Sequence, residues 1–166
     1  MRLEVRPLAE HDLPALDRVL PSWSTAEYPR RLRAQTRGQM VQAVAWDGAE
    51  PLGRGMVLFP GHDEFSASAE RERCAEVRDV WVRPEYRRAG VARALMAALE
   101  DAAREHGETR VGLSVSLDEQ AAPARALYEA LGYRHAHGPF VSSTTLQTDD
   151  GPMPVGAVLA YLVQEL

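Results

Sequence analysis

The chain has 166 residues, of which 45% are hydrophobic and 26% charged, and its formal net charge at pH 7 is −5. These values are typical of one globular domain over residues 1–166, and the negative charge disfavours nucleic acid as a partner because phosphates bind Lys and Arg. No apolar run approaches the roughly 20 residues that span a bilayer, and the single cysteine, Cys74, allows no intramolecular disulfide, so we expect a cytoplasmic protein without a membrane partner.

Hydrophobic periodicity and turn residues divide the chain into strands and helices. Val80, Trp81 and Val82 are apolar at consecutive positions, which is typical of an interior strand covered on both faces. The elements predicted in chain order are a strand at 2–7, helices at 10–20 and 25–36, a hairpin of strands at 40–46 and 52–59, a surface loop at 62–73, a strand at 75–82, a helix at 90–106, a strand at 111–117, a helix at 123–131, and strands from 133 onward and at 155–163. This order predicts a mixed α/β fold.

The segment between the strand at 75–82 and the helix that begins near Gly90 has the composition of an anion site. The first N–H groups of a helix lack internal partners and lie at the positive end of the helix dipole. Gly90 has no Cβ, so a ligand can approach the backbone closely, and Arg87, Arg88 and Arg93 add positive charge. A solvated basic turn before an ordinary core helix has the same composition, so these residues alone leave both interpretations open.

Two runs of the sequence have the residue spacing of known motifs: 87–92, Arg-Arg-Ala-Gly-Val-Ala, and 124–133, Ala-Arg-Ala-Leu-Tyr-Glu-Ala-Leu-Gly-Tyr. The first resembles the Arg/Gln-x-x-Gly-x-Gly/Ala pyrophosphate loop of the GNAT superfamily of N-acetyltransferases. The second is similar to the Ala-x-x-Leu-Tyr-x-x-x-Gly-Phe/Tyr helix of the same superfamily. The close match spans 75–134, and the rest of the chain agrees in element order only.

The resemblance implies a fold, a reaction and a cofactor. The fold is a mostly antiparallel central sheet with helices on both faces, splayed between the strands at 75–82 and 110–117. The reaction is transfer of an acetyl group from acetyl-CoA, without a metal, to a primary amine of a small molecule or of a peptide or protein. The oligomeric state stays open, although members of the family commonly form homodimers. Whether the acyl group is acetyl or longer also stays open.

The resemblance further assigns the cofactor-binding residues. The pantetheine arm would pair with the backbone of Val80, Trp81 and Val82, and a backbone N–H there would polarise the thioester carbonyl. The pyrophosphate would lie on the loop and helix start formed by Arg87, Arg88, Ala89, Gly90, Val91, Ala92 and Arg93.

The chemistry requires a general acid and a route for the proton of the amine. Tyr128 matches the family's tyrosine, which protonates the departing thiolate, and a phenol holds its proton at neutral pH. Glu76 matches the catalytic glutamate of the histone-acetylating branch and is the candidate general base. Strict strand alternation predicts that Asp79 lies on the opposite face from Glu76. A water chain is the alternative to both carboxylates.

Two positions differ from the family's residue pattern. Ala121 stands where many members have a cofactor-contacting asparagine. Ser116 stands where ribosomal-protein acetylating members have a glutamate, which argues against that substrate class.

The alternative functions are a non-catalytic acyl-CoA-binding regulatory module and a tRNA-directed enzyme, and the negative charge disfavours the second. We expect the acceptor pocket to draw on Trp23, Tyr28, His135, His137 and Phe140.

Overall fold

Seven β-strands form one sheet, and five α-helices pack against it in the computed structural model, which describes residues 1–166. The strands are β1 (Leu3–Pro7), β2 (Met40–Asp47), β3 (Glu50–Leu58), β4 (Ala75–Val82), β5 (Arg110–Ser116), β6 (Arg134–Thr148) and β7 (Gly151–Glu165). The helices are α1 (Leu13–Val19), α2 (Glu27–Thr36), α3 (Ala67–Glu72), α4 (Val91–Glu105) and α5 (Ala122–Ala130). The strand order is β1-β2-β3-β4-β5-β7-β6, and only the β4–β5 pair is parallel. The predicted mixed α/β fold and its mostly antiparallel sheet are confirmed.

The helices cover both faces of the sheet. Helix α4 presents an apolar stripe that includes Val91, Leu95 and Leu99, at the four-residue spacing of one helix face. This stripe packs on one sheet face in the main hydrophobic core. Helices α1 and α2 pack on the opposite face, where alternate residues of β2, such as Val44, contribute to a separate buried cluster.

The predicted surface loop at 62–73 is wrong for its second half, because residues Ala67–Glu72 form α3. The Ser66 Oγ accepts a hydrogen bond from the Ala69 N–H at 3.1 Å and caps the helix. His137 of β6 contacts Ser68 and Glu72 on this helix, at 3.0 and 2.9 Å. A helix of six residues is too short to produce a periodic hydrophobic pattern, so tertiary contacts decide its conformation.

Strands β4 and β5 separate soon after they begin. Their parallel pairing comprises only Ala75 with Val111 and Glu76 with Gly112, whereas β5 continues beside β7 over its whole length. Between Arg78 and Trp81, β4 advances three residues while β3 advances two, so β4 carries a β-bulge. A bulge bends its strand and increases the local twist. A wedge-shaped gap between β4 and β5 results, and the predicted splay is therefore present.

Candidate functional site

The loop that joins β4 to α4 leaves a run of backbone N–H groups without protein partners. The first hydrogen bond into α4 runs from the Ala94 N–H to the Gly90 carbonyl at 3.0 Å, and no protein acceptor bonds the six N–H groups from Arg88 to Arg93. Arg88 and Gly90 have left-handed backbone angles, with φ of 62° and 83°. Successive amides in such a turn can form an anion-binding concavity, and the α4 dipole adds positive potential.

The three arginines predicted to flank the anion site, two in the loop and one in the first turn of α4, have different surroundings. Arg88 and Arg93 are exposed and form no ion pair or hydrogen bond, so two free cations lie beside the unpartnered amides. The Arg87 Nε donates to the Val82 carbonyl at 3.0 Å, and its guanidinium lies 5.9 Å from the centre of the Trp81 ring. Arginines at a helix N-terminus oppose the helix dipole, and a bound anion would offset that repulsion.

The end of β4 forms one wall of the gap. Val80 packs against the core on the α4 side, Val82 is buried there, and Trp81 points to the other face with 37% of its surface exposed. The Val82 carbonyl, one of the backbone groups assigned to pantetheine, is already bonded to Arg87. Binding of a pantetheine amide at that carbonyl would therefore require the Arg87 side chain to move.

Tyr128 lies on α5, the helix that follows β5 in the chain. Its ring packs against the same core as Val80 and Ala92, and lies 5.9 Å from the Tyr133 ring, centre to centre. The Tyr128 hydroxyl forms no hydrogen bond within the protein, and burial raises its pKa above the ordinary value of 10.0. The phenol therefore keeps its proton at neutral pH and can donate it.

Glu76 is enclosed by the protein and both of its oxygens are bonded. Its carboxylate accepts from the Ser66 N–H at 3.1 Å and from the Ser66 hydroxyl at 2.6 Å, and it pairs with Arg78 at 3.0 Å. Only 2% of the residue is exposed. A general base needs a free lone pair within reach of the amine, so this geometry favours a structural role in which Glu76 anchors the residue that caps α3.

The prediction that Asp79 lies on the opposite face from Glu76 is wrong. Asp79 is the bulge residue, with φ of 52°, and an extra residue breaks the two-residue alternation of a strand. Its carboxylate bonds Arg31 of α2 and Arg54 of β3, at 2.7 and 2.8 Å. Both carboxylates therefore lie on the face that α1, α2 and α3 cover.

Tyr28 and His137, two of the residues predicted to line the acceptor pocket, have other roles. Tyr28 is completely buried and donates its hydroxyl hydrogen to the Leu20 carbonyl. His137 is held by α3 and stacks on Tyr161. Trp23, in the α1–α2 connection, remains 42% exposed and lies beside Arg54 of β3, on the face of the sheet that α1 and α2 cover. Of these three side chains, Trp23 is the one that an acceptor can contact.

The aromatic Trp81 and the buried Arg54 join Trp23 at this face. The Arg54 guanidinium lies 5.9 Å from the Trp23 ring centre and 5.8 Å from that of Trp81. Sequence reasoning missed Arg54, although a charged residue between two glycines in an otherwise apolar strand, Leu52 to Met56, was a usable signal.

Comparison with known proteins gives the family. The acetyltransferase (GNAT) family model matches residues 4–133, and the chain therefore belongs to this family. No curated protein matches the sequence significantly.

Solved structures show the same fold at low identity. A ribosomal-protein-alanine N-acetyltransferase from Brucella melitensis is 19% identical, with a TM-score of 0.68 and coverage of 98% of this chain and 99% of its own. The PaiA N-acetyltransferase from Thermoplasma acidophilum, in complex with coenzyme A, is 16% identical, with a TM-score of 0.64 and full coverage of both chains. YncA from Salmonella typhimurium, with its cofactor acetyl-CoA, is 16% identical, with a TM-score of 0.70 and coverage of 100% and 95%.

Two further observations bear on the sequence predictions. No group of three or more His, Cys, Asp or Glu side chains is arranged to hold a metal ion. None of the helices is long and apolar enough to cross a membrane.

Proposed function

We propose that residues 1–166 act as an N-acetyltransferase that transfers an acetyl group from acetyl-CoA to a primary amine. The observation that carries this proposal is the run of six unpartnered N–H groups from Arg88 to Arg93, at the positive end of α4 and at one end of the β4–β5 gap. A diphosphate has the charge and the acceptor oxygens that such a run can bind. Family membership supports the same donor.

The reaction forms an N–C bond and breaks a C–S bond. Residues of the Arg88–Arg93 loop would hold the diphosphate, and the β4 wall would align the pantetheine arm so that the thioester lies in the gap. A β4 backbone N–H would stabilise negative charge on the carbonyl oxygen as the amine nitrogen attacks. Tyr128 would give its hydroxyl proton to the sulfur that leaves, and the amine would lose one proton.

The proton of the amine requires an acceptor other than the two carboxylates. Glu76 is bonded by Ser66 and Arg78, and Asp79 is bonded by two buried arginines. We therefore favour water in the open part of the gap as the route by which this proton leaves, which is the alternative that the sequence left open.

A Glu76→Gln variant distinguishes a structural role of Glu76 from a role as the general base. We expect it to lower the free energy of unfolding by about 1–3 kcal/mol, because charge-assisted hydrogen bonds to Ser66 and Arg78 are lost, and to change kcat by less than about threefold. Chemical denaturation and steady-state kinetics measure the two effects. A loss of kcat of the size seen for missing general bases, about 100-fold or more, in a stably folded variant would restore Glu76 as the base.

The pH dependence of turnover follows from the raised pKa of Tyr128. A general acid works only while protonated, and a pKa above 10.0 keeps the Tyr128 phenol protonated throughout the neutral and mildly alkaline range. We therefore expect kcat, measured at saturating substrates, to show no decline between pH 7 and about pH 9. A decline centred below about pH 9 would identify a different acid.

A non-catalytic acyl-CoA-binding module is the competing function. It requires the pyrophosphate loop but no acid, so a buried phenol whose hydroxyl no protein group bonds, that of Tyr128, favours catalysis. The test is release of free thiol from acetyl-CoA with a panel of polyamines, aminoglycosides, amino acids, peptides with free N-termini and lysine peptides. Binding of acetyl-CoA without thiol release above the uncatalysed rate with any acceptor would support the module.

The class of acceptor is inferred from the sequence. The acceptor is proposed to be an amine of a small molecule or peptide, and Ser116 disfavours the ribosomal-protein class, although a structure of that class shares the fold. The cytoplasmic location and a homodimer stay predictions.

A further inference from the structure

Asp79 occupies a backbone conformation that is uncommon for residues other than glycine, although Asp and Asn adopt it more often than most. Its φ of 52° lies in the left-handed region, where the side chain of an L-residue crowds the backbone. The residue stands in the β4 bulge, between Arg78 and Trp81, at the point where β4 turns away from β5. Such a conformation persists only where surrounding contacts hold it.

Two buried arginines supply these contacts. The Asp79 Oδ2 accepts from the Arg31 Nη1 at 2.7 Å and from the Arg54 Nε at 2.8 Å, and its Oδ1 accepts from the Arg54 Nη2 at 3.2 Å. The side chains of Arg31, Arg54 and Asp79 are 2%, 5% and 9% exposed. An ion pair at this depth is weakly screened and geometrically demanding, so it fixes the position of the carboxylate.

The arginines connect the bulge to the acceptor side of the molecule. The Arg54 Nη1 donates to the carbonyls of Leu20 and Pro21 at 2.9 Å each, at the end of α1. The Arg31 Nη1 also donates to the Gln42 side chain at 2.8 Å. One carboxylate therefore joins the bulge of β4 to α2, to β3 and to the connection that carries Trp23.

We propose that Asp79 is a positioning residue, whose ion pairs with Arg31 and Arg54 hold the β4 bulge and so set the direction of the Val80 peptide group at the gap. This inference rests on the proposed function for its kinetic consequence. Both Asp79 oxygens are occupied by cations, so the residue acts through the backbone of Val80. These ion pairs, the Asp79 clamp, also hold the Arg54 guanidinium between the rings of Trp23 and Trp81, 5.9 and 5.8 Å from their centres.

An Asp79→Asn variant tests the clamp, because asparagine tolerates a left-handed backbone and keeps the size of the side chain but lacks the charge. We expect kcat to fall about tenfold, since small misplacements of reacting groups are costly, while Kd for CoA changes by less than about threefold because the Arg88–Arg93 loop is untouched. The shape of the pH profile should stay that of the wild type. Loss of one limb of that profile would mean that Asp79 transfers a proton, and would overturn the positioning role.

The matched control is Glu27→Gln. Glu27, on α2, pairs with Arg31 at 3.1 Å and forms no hydrogen bond or ion pair with β4, so this variant also removes a carboxylate from beside a buried arginine. We expect lower stability and a kcat within about twofold of the wild type, measured well below both melting temperatures. An equal fall in kcat for both variants would mean that general loosening, and not the bulge, causes the loss.

A second readout requires no turnover and no ligand. The amide resonance of Val80 in 15N-labelled, ligand-free protein should move in Asp79→Asn and stay in place in Glu27→Gln. Arg54→Lys, which keeps the charge but loses the paired donors, should move it as well and serves if Asp79→Asn does not fold. An unmoved Val80 resonance in these clamp variants would overturn the inference, whereas failure of CoA binding with the resonance shifted would count only against the proposed function.

Discussion

Replacement of Tyr128 by phenylalanine is expected to lower kcat by at least about 100-fold and to leave Kd for CoA unchanged. General acids contribute about 100- to 10,000-fold to rates, and the Tyr128 hydroxyl is the proton donor proposed for the thiolate. The substitution removes only the hydroxyl oxygen, which forms no hydrogen bond within the protein. The packing of the ring in the core therefore stays as it is. Steady-state kinetics and calorimetric titration with CoA separate the chemical step from binding.

The control for this variant is Tyr133→Phe. Tyr133 lies beside Tyr128 and is buried in the same core, but its hydroxyl donates to Glu100 at 2.9 Å. We expect this variant to lose about 1 kcal/mol of stability and to keep kcat within about threefold. Wild-type turnover in Tyr128→Phe would remove Tyr128 from the mechanism and leave the leaving thiolate to be protonated by solvent.

Replacement of Gly90 by alanine is expected to raise Kd for CoA by roughly 30- to 100-fold. Gly90 has φ of 83°, and a Cβ built on it meets nothing within 4 Å, so the protein itself tolerates the methyl group apart from backbone strain of about 1–2 kcal/mol. The methyl group would stand among the unpartnered amides, where a diphosphate must approach the backbone closely. Weaker binding by this factor corresponds to about 2–3 kcal/mol.

Gly107 provides a control on the same helix. It follows the C-terminal end of α4, has φ of 91°, and also has open space around a built Cβ. Gly107→Ala should therefore lower stability by a similar amount while Kd for CoA stays within about twofold. Equal losses of affinity in the two variants would mean that strain in α4, and not a diphosphate site at its N-terminus, controls binding.

The parts of the site that sequence alone predicts are local ones. The strand at 75–82, the basic loop and the helix after Gly90 are each specified by residues close together in the chain, and the structure has them within two residues of the predicted bounds. The phosphate loop depends on a helix N-terminus and one glycine, which short-range rules describe. The same is true of Tyr128, whose place on its helix follows from spacing.

The parts that sequence reasoning placed wrongly depend on contacts between distant segments. Asp79 lies on the face opposite to the predicted one because a bulge adds one residue to β4. No local sequence pattern distinguishes that bulge from a regular strand. Tyr28 was expected to line the acceptor pocket, but it is completely buried on α2, and its hydroxyl accepts a hydrogen bond at 2.8 Å from Arg54 of β3. Helix α3 is stabilised by its Ser66 cap and by its contacts with β6. Six residues are too few to show a helical period in the sequence.

Binding of a diphosphate by the backbone amides from Arg88 to Arg93 underlies the proposed function. A crystal structure of the protein with bound CoA measures this directly, through the distances from those backbone nitrogens to the phosphate oxygens. We expect several distances of about 2.7–3.2 Å, with the pantetheine arm entering the gap between β4 and β5. CoA bound elsewhere, with these six N–H groups still facing solvent, would contradict a diphosphate site at the start of α4.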